Sequence, residues 1–133
     1  MSGRFQELFS PNLLESFFPA ERSDTFFEAL YGDAEEGAYD IQLAFDSEAT
    51  DEIRFQFQLR QRPGKCLACN LTYGLPHVFE RHPILNVAGV VEQIRERLNG
   101  HAELSGWRLG RTREESGALH VIPLIVFLEP NGR

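Results

Sequence analysis

The chain has 133 residues, 42% of them hydrophobic and eleven of them phenylalanine, which is typical of one domain with its own core. Its net charge of −7 argues against general affinity for nucleic acid or for an anionic membrane surface. No apolar run reaches the roughly 20 residues of a membrane-spanning helix, and the N-terminus lacks the apolar stretch of a secretory signal. We therefore expect a cytoplasmic domain that binds neither nucleic acid nor membrane.

Two helices are predicted at the N-terminal end. The first begins at Ser10, which can cap it, and at Pro11, which suits the first helical position. The second contains Ser23 and Thr25, either of which can cap it, and it stops at Gly32.

A two-residue hydrophobic period then predicts two antiparallel strands that form a hairpin. The first strand has Tyr39, Ile41, Leu43 and Phe45 at alternate positions, and the second has Ile53, Phe55, Phe57 and Leu59. Side chains between these positions project from the opposite face of the sheet. The candidate binding residues on that exposed face are Arg54, Gln56, Gln58, Arg60 and Arg62. Arginine can clamp phosphates or carboxylates there, although a solvated sheet face explains the same pattern.

Two cysteines and two histidines follow, with the spacing Cys66-x2-Cys69-x7-His77-x4-His82. Two thiolates and two imidazoles are a ligand set of structural zinc, so these four residues are a candidate zinc site. The alternative is a third strand over residues 66–73, in which the two cysteines would point to opposite faces and could not share an ion. Cysteine is often buried in a core, and we favour the strand.

Catalytic patterns are weaker in this sequence. A reactive Cys-x-x-Cys pair usually lies at a helix N-terminus, and the residues after Cys69 do not predict a helix start. There is no glycine-rich phosphate loop and no nucleophile elbow. Catalysis by a Cys/His pair remains an alternative, but we expect a protein that is not an enzyme and has no cofactor other than the alternative zinc ion.

The C-terminal half predicts one long helix and one more hairpin. The helix runs from its cap at Asn86 to a stop at Gly100. The hairpin joins strands over residues 107–113 and 118–128 through a turn at 114–117. Because proline cannot donate to a ladder, Pro123 predicts an edge position or a bulge.

These elements predict one α+β domain over residues 1–133. N-terminal helices lie at about 11–31 and a sheet-and-helix core at about 38–128. An antiparallel sheet of about five strands has its helices packed on one face, in the order αα-βββ-α-ββ.

The stretches "FFEALYGDAEEGAYDIQL" and "RQRPGKCLACNLTYGLPHVFERHPILNVAGVV" resemble a family of small uncharacterised proteins from delta-proteobacteria. The resemblance covers about residues 8–98 and implies a bacterial protein. Some members are labelled as pancreas/duodenum homeobox proteins. An acidic chain rich in predicted strands contradicts that label, because a homeodomain is three helices with a basic recognition helix. The resemblance implies no activity.

The element order is also similar to that of class I type III secretion chaperones, which are homodimers that hold an unfolded effector segment. From these features we expect a non-catalytic protein-interaction module, in a chaperone-like form if the similarity extends to function. The partner would be another protein. The sequence leaves its identity open, and a homodimer is among the alternatives.

Overall fold

A computed structural model describes residues 5–32, 39–64 and 75–129, except for the side chains at positions 30, 31, 75 and 77. A short 3-10 helix at Gln6–Leu8 precedes four α-helices. These are α1 (Pro11–Phe17), α2 (Glu21–Tyr31), α3 (Leu75–Arg81) and α4 (Val87–Leu98). The strands are β1 (Tyr39–Glu48), β2 (Glu52–Gln61), β3 (Leu104–Leu109), β4 (Arg113–Ser116) and β5 (Leu119–Leu128).

The predicted α+β class and the five-stranded antiparallel sheet are confirmed. The predicted element order holds approximately, with differences around the middle of the chain. The third strand expected at residues 66–73 lies outside the described residues. The predicted order does not include the helix α3 between the third strand and the long helix, and three strands rather than two follow α4. The residues expected to form the last turn are mostly the strand β4, and the turn itself is at Gly117–Ala118.

The sheet has the order β1-β2-β5-β3, and β4 pairs with the other end of β5 on the same side as β3. The strand β5 is therefore central, and its register with β2 has no shift at Pro123, so neither the edge position nor the bulge predicted for this residue is found in that pairing. The Pro123 carbonyl accepts a hydrogen bond from the Gly110 N–H at 2.8 Å, on the side of β3 and β4. In a strand, the N–H and C=O groups of one residue point to the same side, so an N–H at position 123 would also point toward the break between β3 and β4. Proline therefore removes no hydrogen bond from the ladder between β2 and β5.

One hydrophobic core lies between the helices and one face of the sheet. Its sheet residues come from alternate positions, and they include Ile41, Phe55, Phe57, Ile122 and Leu124. Its largest fully buried side chains are phenylalanines from helices, strands and the N-terminal segment: Phe5, Phe9, Phe18, Phe26, Phe55, Phe57 and Phe79. Alternate burial along β2 confirms that the predicted two-residue period marks the core face.

The helix ends show how local sequence positions this core. Ser10 caps α1, since its Oγ accepts the Leu13 N–H at 3.2 Å, and Pro11 is the first helical residue. Gly32 ends α2 in the left-handed conformation with φ of 83°. Neither Ser23 nor Thr25 caps α2, because the helix already begins at Glu21. The Ser23 hydroxyl instead bonds the edge strand β1 at Ile41.

Two substitutions of Asn86, the cap of α4, test whether its side-chain hydrogen bond or its backbone conformation contributes more to stability. The side-chain oxygen Oδ1 of Asn86 accepts the Gly89 N–H at 3.2 Å, and the residue is left-handed with φ of 50°. Asn86→Ala should lower the free energy of unfolding by about 1–3 kcal/mol, since it removes the cap and strains the left-handed backbone. Asn86→Gly should cost only a few tenths of a kcal/mol, because glycine accepts this conformation. Urea unfolding of both variants measures the difference, and equal losses would contradict this explanation.

Candidate functional site

The face of the sheet opposite the helices is the candidate site, and we call it the open face. The described helices pack against the other face, since their buried side chains share one cluster with core residues of the sheet. Val121 and Ile125 of β5 project to the open face and are outside that cluster, although they are only 1% and 3% exposed.

The pairing register arranges the open face in rows that cross the sheet, because directly paired residues project to the same side. One row contains Arg54, Ile125 and Arg108, and another contains Gln58, Val121 and Arg113. The remaining pairs are Glu52 with Phe127, Gln56 with Pro123, and Arg60 with Leu119. An apolar stripe therefore runs along β5, and we define it as Leu119, Val121, Pro123, Ile125 and Phe127.

Close backbone packing at the break between β3 and β4 helps to hold this stripe in place. A Cβ atom added to Gly110 would lie 3.2 Å from Cγ of Pro123, which is closer than ordinary van der Waals contact. Glycine therefore lets the segment between the two short strands approach Pro123. The stripe lies on one continuous strand, so the break between β3 and β4 does not interrupt it.

Four arginines border the apolar stripe, two on each side. Arg54 and Arg60 lie on β2, Arg108 lies on β3, and Arg113 lies on β4. Long arginine stems can cover neighbouring apolar side chains while the guanidinium stays in water. This arrangement is consistent with the low exposure of Val121 and Ile125.

These arginines differ in their partners. Arg54 pairs with Glu52, and the hydrogen bond and charge of Glu52 raise the pKa of Arg54 above its ordinary value. Arg113 pairs with Glu115 at 3.0 Å. Arg60 donates to the Gln58 side-chain oxygen at 2.8 Å, and Arg108 is exposed. Within the described part of the chain, neither Arg60 nor Arg108 has a carboxylate partner.

Arg62, which was predicted with the other arginines, lies at the end of the sheet and has a different environment. Its guanidinium pairs with Asp24 of α2 at 2.7 Å and with Asp40 of β1 at 2.9 Å. It also lies 5.3 Å from the centre of the Phe27 ring, and its side chain is only 14% exposed. Arg62 therefore connects a helix to the edge strand, and we do not include it in the open face.

The predicted zinc ligands are only partly described. Cys66 and Cys69 lie outside the described residues, as does the side chain of His77. His82 follows α3, where its Nδ1 accepts the Ile84 N–H at 3.2 Å and its ring packs edge-on against Phe26. A metal bound at Nε2 would require a proton on Nδ1, which this hydrogen bond opposes. Among residues 5–32, 39–64 and 75–129, no three metal-binding side chains gather in one place.

Two shallow grooves lie among the helices, away from the open face. One measures about 250 Å³ and is lined by Leu13, Phe17, Gln93, Glu96 and Arg97. The other measures about 230 Å³ and lies beside Arg95, Asn99 and Leu104. Both are below the usual size of a small-molecule site, and neither lining includes a cysteine, serine or histidine.

Comparison with known proteins gives no relative. No family model matches the chain, and no curated protein or solved structure matches it. The resemblance to a delta-proteobacterial family stays a prediction. In the described part of the chain, no helix has both the length and the apolar character needed to cross a bilayer.

Proposed function

We propose that the protein is a non-catalytic, cytoplasmic protein-interaction module that binds its partner through the open face. The observation that supports this most strongly is the apolar stripe on β5, which no described helix covers and which arginines border on both sides. Interfaces commonly combine an apolar centre with a rim of polar and charged side chains, and arginine is enriched in them.

The sequence also suggested a chaperone-like form of this function, by similarity of element order to class I type III secretion chaperones. Fold order alone does not determine function. We therefore base the proposal on the chemistry of the open face rather than on that similarity.

A photo-cross-linking experiment in cells of the source organism tests the proposal. p-Benzoylphenylalanine replaces Gln56, which lies beside Pro123 in the middle of the open face. We expect discrete adducts with a protein partner, because this position would lie inside the interface.

The matched control places the same photo-reactive residue at Glu92, an exposed position on α4. Adducts should be absent or much weaker there. The proposal fails if position 56 gives no adduct, or if both positions give the same adducts with equal yield.

A further inference from the structure

We infer that the partner of the open face is an extended, acidic protein segment that presents both apolar side chains and carboxylates on one side. This inference rests on the proposed function, and it adds the chemistry of the partner. It follows from charge complementarity at the arginines and from the shape of the apolar stripe.

The charge argument begins with the carboxylates that are already present. Glu52 is paired with Arg54, Glu115 with Arg113, and Asp40 with Arg62. Each acid of these pairs therefore already has an arginine partner, which Asp40 shares with Asp24. Arg60 and Arg108 remain as cations without a described carboxylate partner, and they stand on opposite sides of the stripe. Two guanidinium groups in this position would bind carboxylates from a partner.

The net charge of the chain does not prevent such a contact. The acidic residues of α2 belong to the helical layer, on the other side of the sheet from the open face. At physiological ionic strength, charge is screened over about 8 Å. The charged groups nearest the stripe therefore contribute most to the potential that a segment meets there.

The shape of the stripe favours an extended segment. It covers nine residues of a single strand, so its ends are roughly 26 Å apart at about 3.3 Å per residue. Leu119, Pro123 and Phe127 are half-buried along it, so apolar contact is available at both ends and in the middle. Because successive side chains of an extended segment point in opposite directions, the side chains that face the sheet must themselves include both apolar residues for the stripe and carboxylates for the arginines.

Peptide titration followed by fluorescence anisotropy tests the inference with defined probes. The main probe is a labelled peptide of about nine residues whose alternate positions carry Val and Glu in turn, with Ser between them, so that one side of the extended peptide presents both. The comparison probes are a Lys/Val peptide and a Glu/Ser peptide with the same spacing, and single-stranded DNA of similar length. We expect saturable binding of the Glu/Val peptide, no binding of the Lys/Val peptide, and binding of the Glu/Ser peptide that is weaker by about threefold or more.

Variants assign the binding to the open face. The double variant Arg60→Gln, Arg108→Gln should weaken binding of the Glu/Val peptide by about fivefold or more, and higher salt should reduce the difference. Arg81→Gln makes a single change of the same kind at an exposed site on α3, and it should leave binding unchanged. Because Arg60 and Arg108 are both exposed, unfolding curves should show that the double variant is folded.

Several results would overturn the inference: no saturable binding of the Glu/Val peptide, equal binding of the Lys/Val peptide or of the DNA, or an equal loss in Arg81→Gln. The cross-linking result separates this failure from failure of the proposed function. Adducts from position 56 with a partner that lacks an acidic segment would refute the inference and leave the proposed function standing. Peptide binding without cellular adducts would support the inferred binding chemistry of the open face and refute the proposal that this face binds a partner in the cell.

Discussion

Replacing Phe57 with alanine should lower the free energy of unfolding by about 3–5 kcal/mol, measured by urea denaturation. Phe57 is fully buried, and its ring lies 5.4 Å from that of Phe18 and 5.5 Å from that of Phe79. It therefore joins the sheet to the end of α1 and to α3. Removing it leaves a cavity and breaks two edge-to-face ring contacts.

The neighbouring residue provides the control. Gln58 is adjacent in sequence but lies on the open face, so Gln58→Ala should change stability by less than about 1 kcal/mol. If Phe57→Ala does not fold, Phe57→Leu should still show a loss of about 1–2 kcal/mol. Equal effects at positions 57 and 58 would contradict the assignment of the two faces.

Replacing Ser23 with alanine should lower the free energy of unfolding by about 1–3 kcal/mol, which is large for the loss of one hydroxyl. The Ser23 Oγ accepts the Ile41 N–H at 2.8 Å and donates to the Ile41 carbonyl at 3.4 Å. Ser23 is fully buried, so alanine would leave both backbone groups without a partner and away from water.

Ser16→Ala is the matched control for this variant. Ser16 is exposed on α1, and its hydroxyl donates only to a carbonyl of the same helix. Its removal should change stability by less than about 0.5 kcal/mol. Thermal unfolding of the two variants compares the effects, and a loss at Ser23 no greater than that at Ser16 would disprove a structural role for the bridge.

The parts of the fold that depend on local sequence were predictable. Alternation from Tyr39 to Leu59 identified β1, β2 and their core face, because the side-chain period of a strand is fixed by its backbone. The caps at Ser10 and Asn86 and the stop at Gly32 were also predicted correctly, since each depends on one residue and the helical turn beside it.

Predictions that depended on tertiary contacts were less successful. Pro123 suggested an edge strand, because the sequence does not show that β3 and β4 share one side of β5 and leave a gap at this residue. Ser23 was interpreted as a helix cap, because its bond to Ile41 connects residues 18 apart in the chain.

The candidate site was predicted only on β2. The strand order adds Arg108, Arg113 and the apolar stripe to the site, and nothing in the local pattern of β3 or β4 indicates that order. Apolar residues lie on both faces of β5, and its central position in the sheet brings arginines of three strands around the stripe.

The central position of β5 has a consequence for synthesis on the ribosome. The strands β1 and β2 leave the ribosome early, but β2 has its second neighbour only after β5 has been made. Until then, one side of β2 has unpaired backbone groups, and Phe55 and Phe57 lack the apolar side chains that β5 supplies. We expect the nascent chain to need protection from self-association over this interval, and we expect truncation before β5 to abolish folding rather than to shorten the sheet.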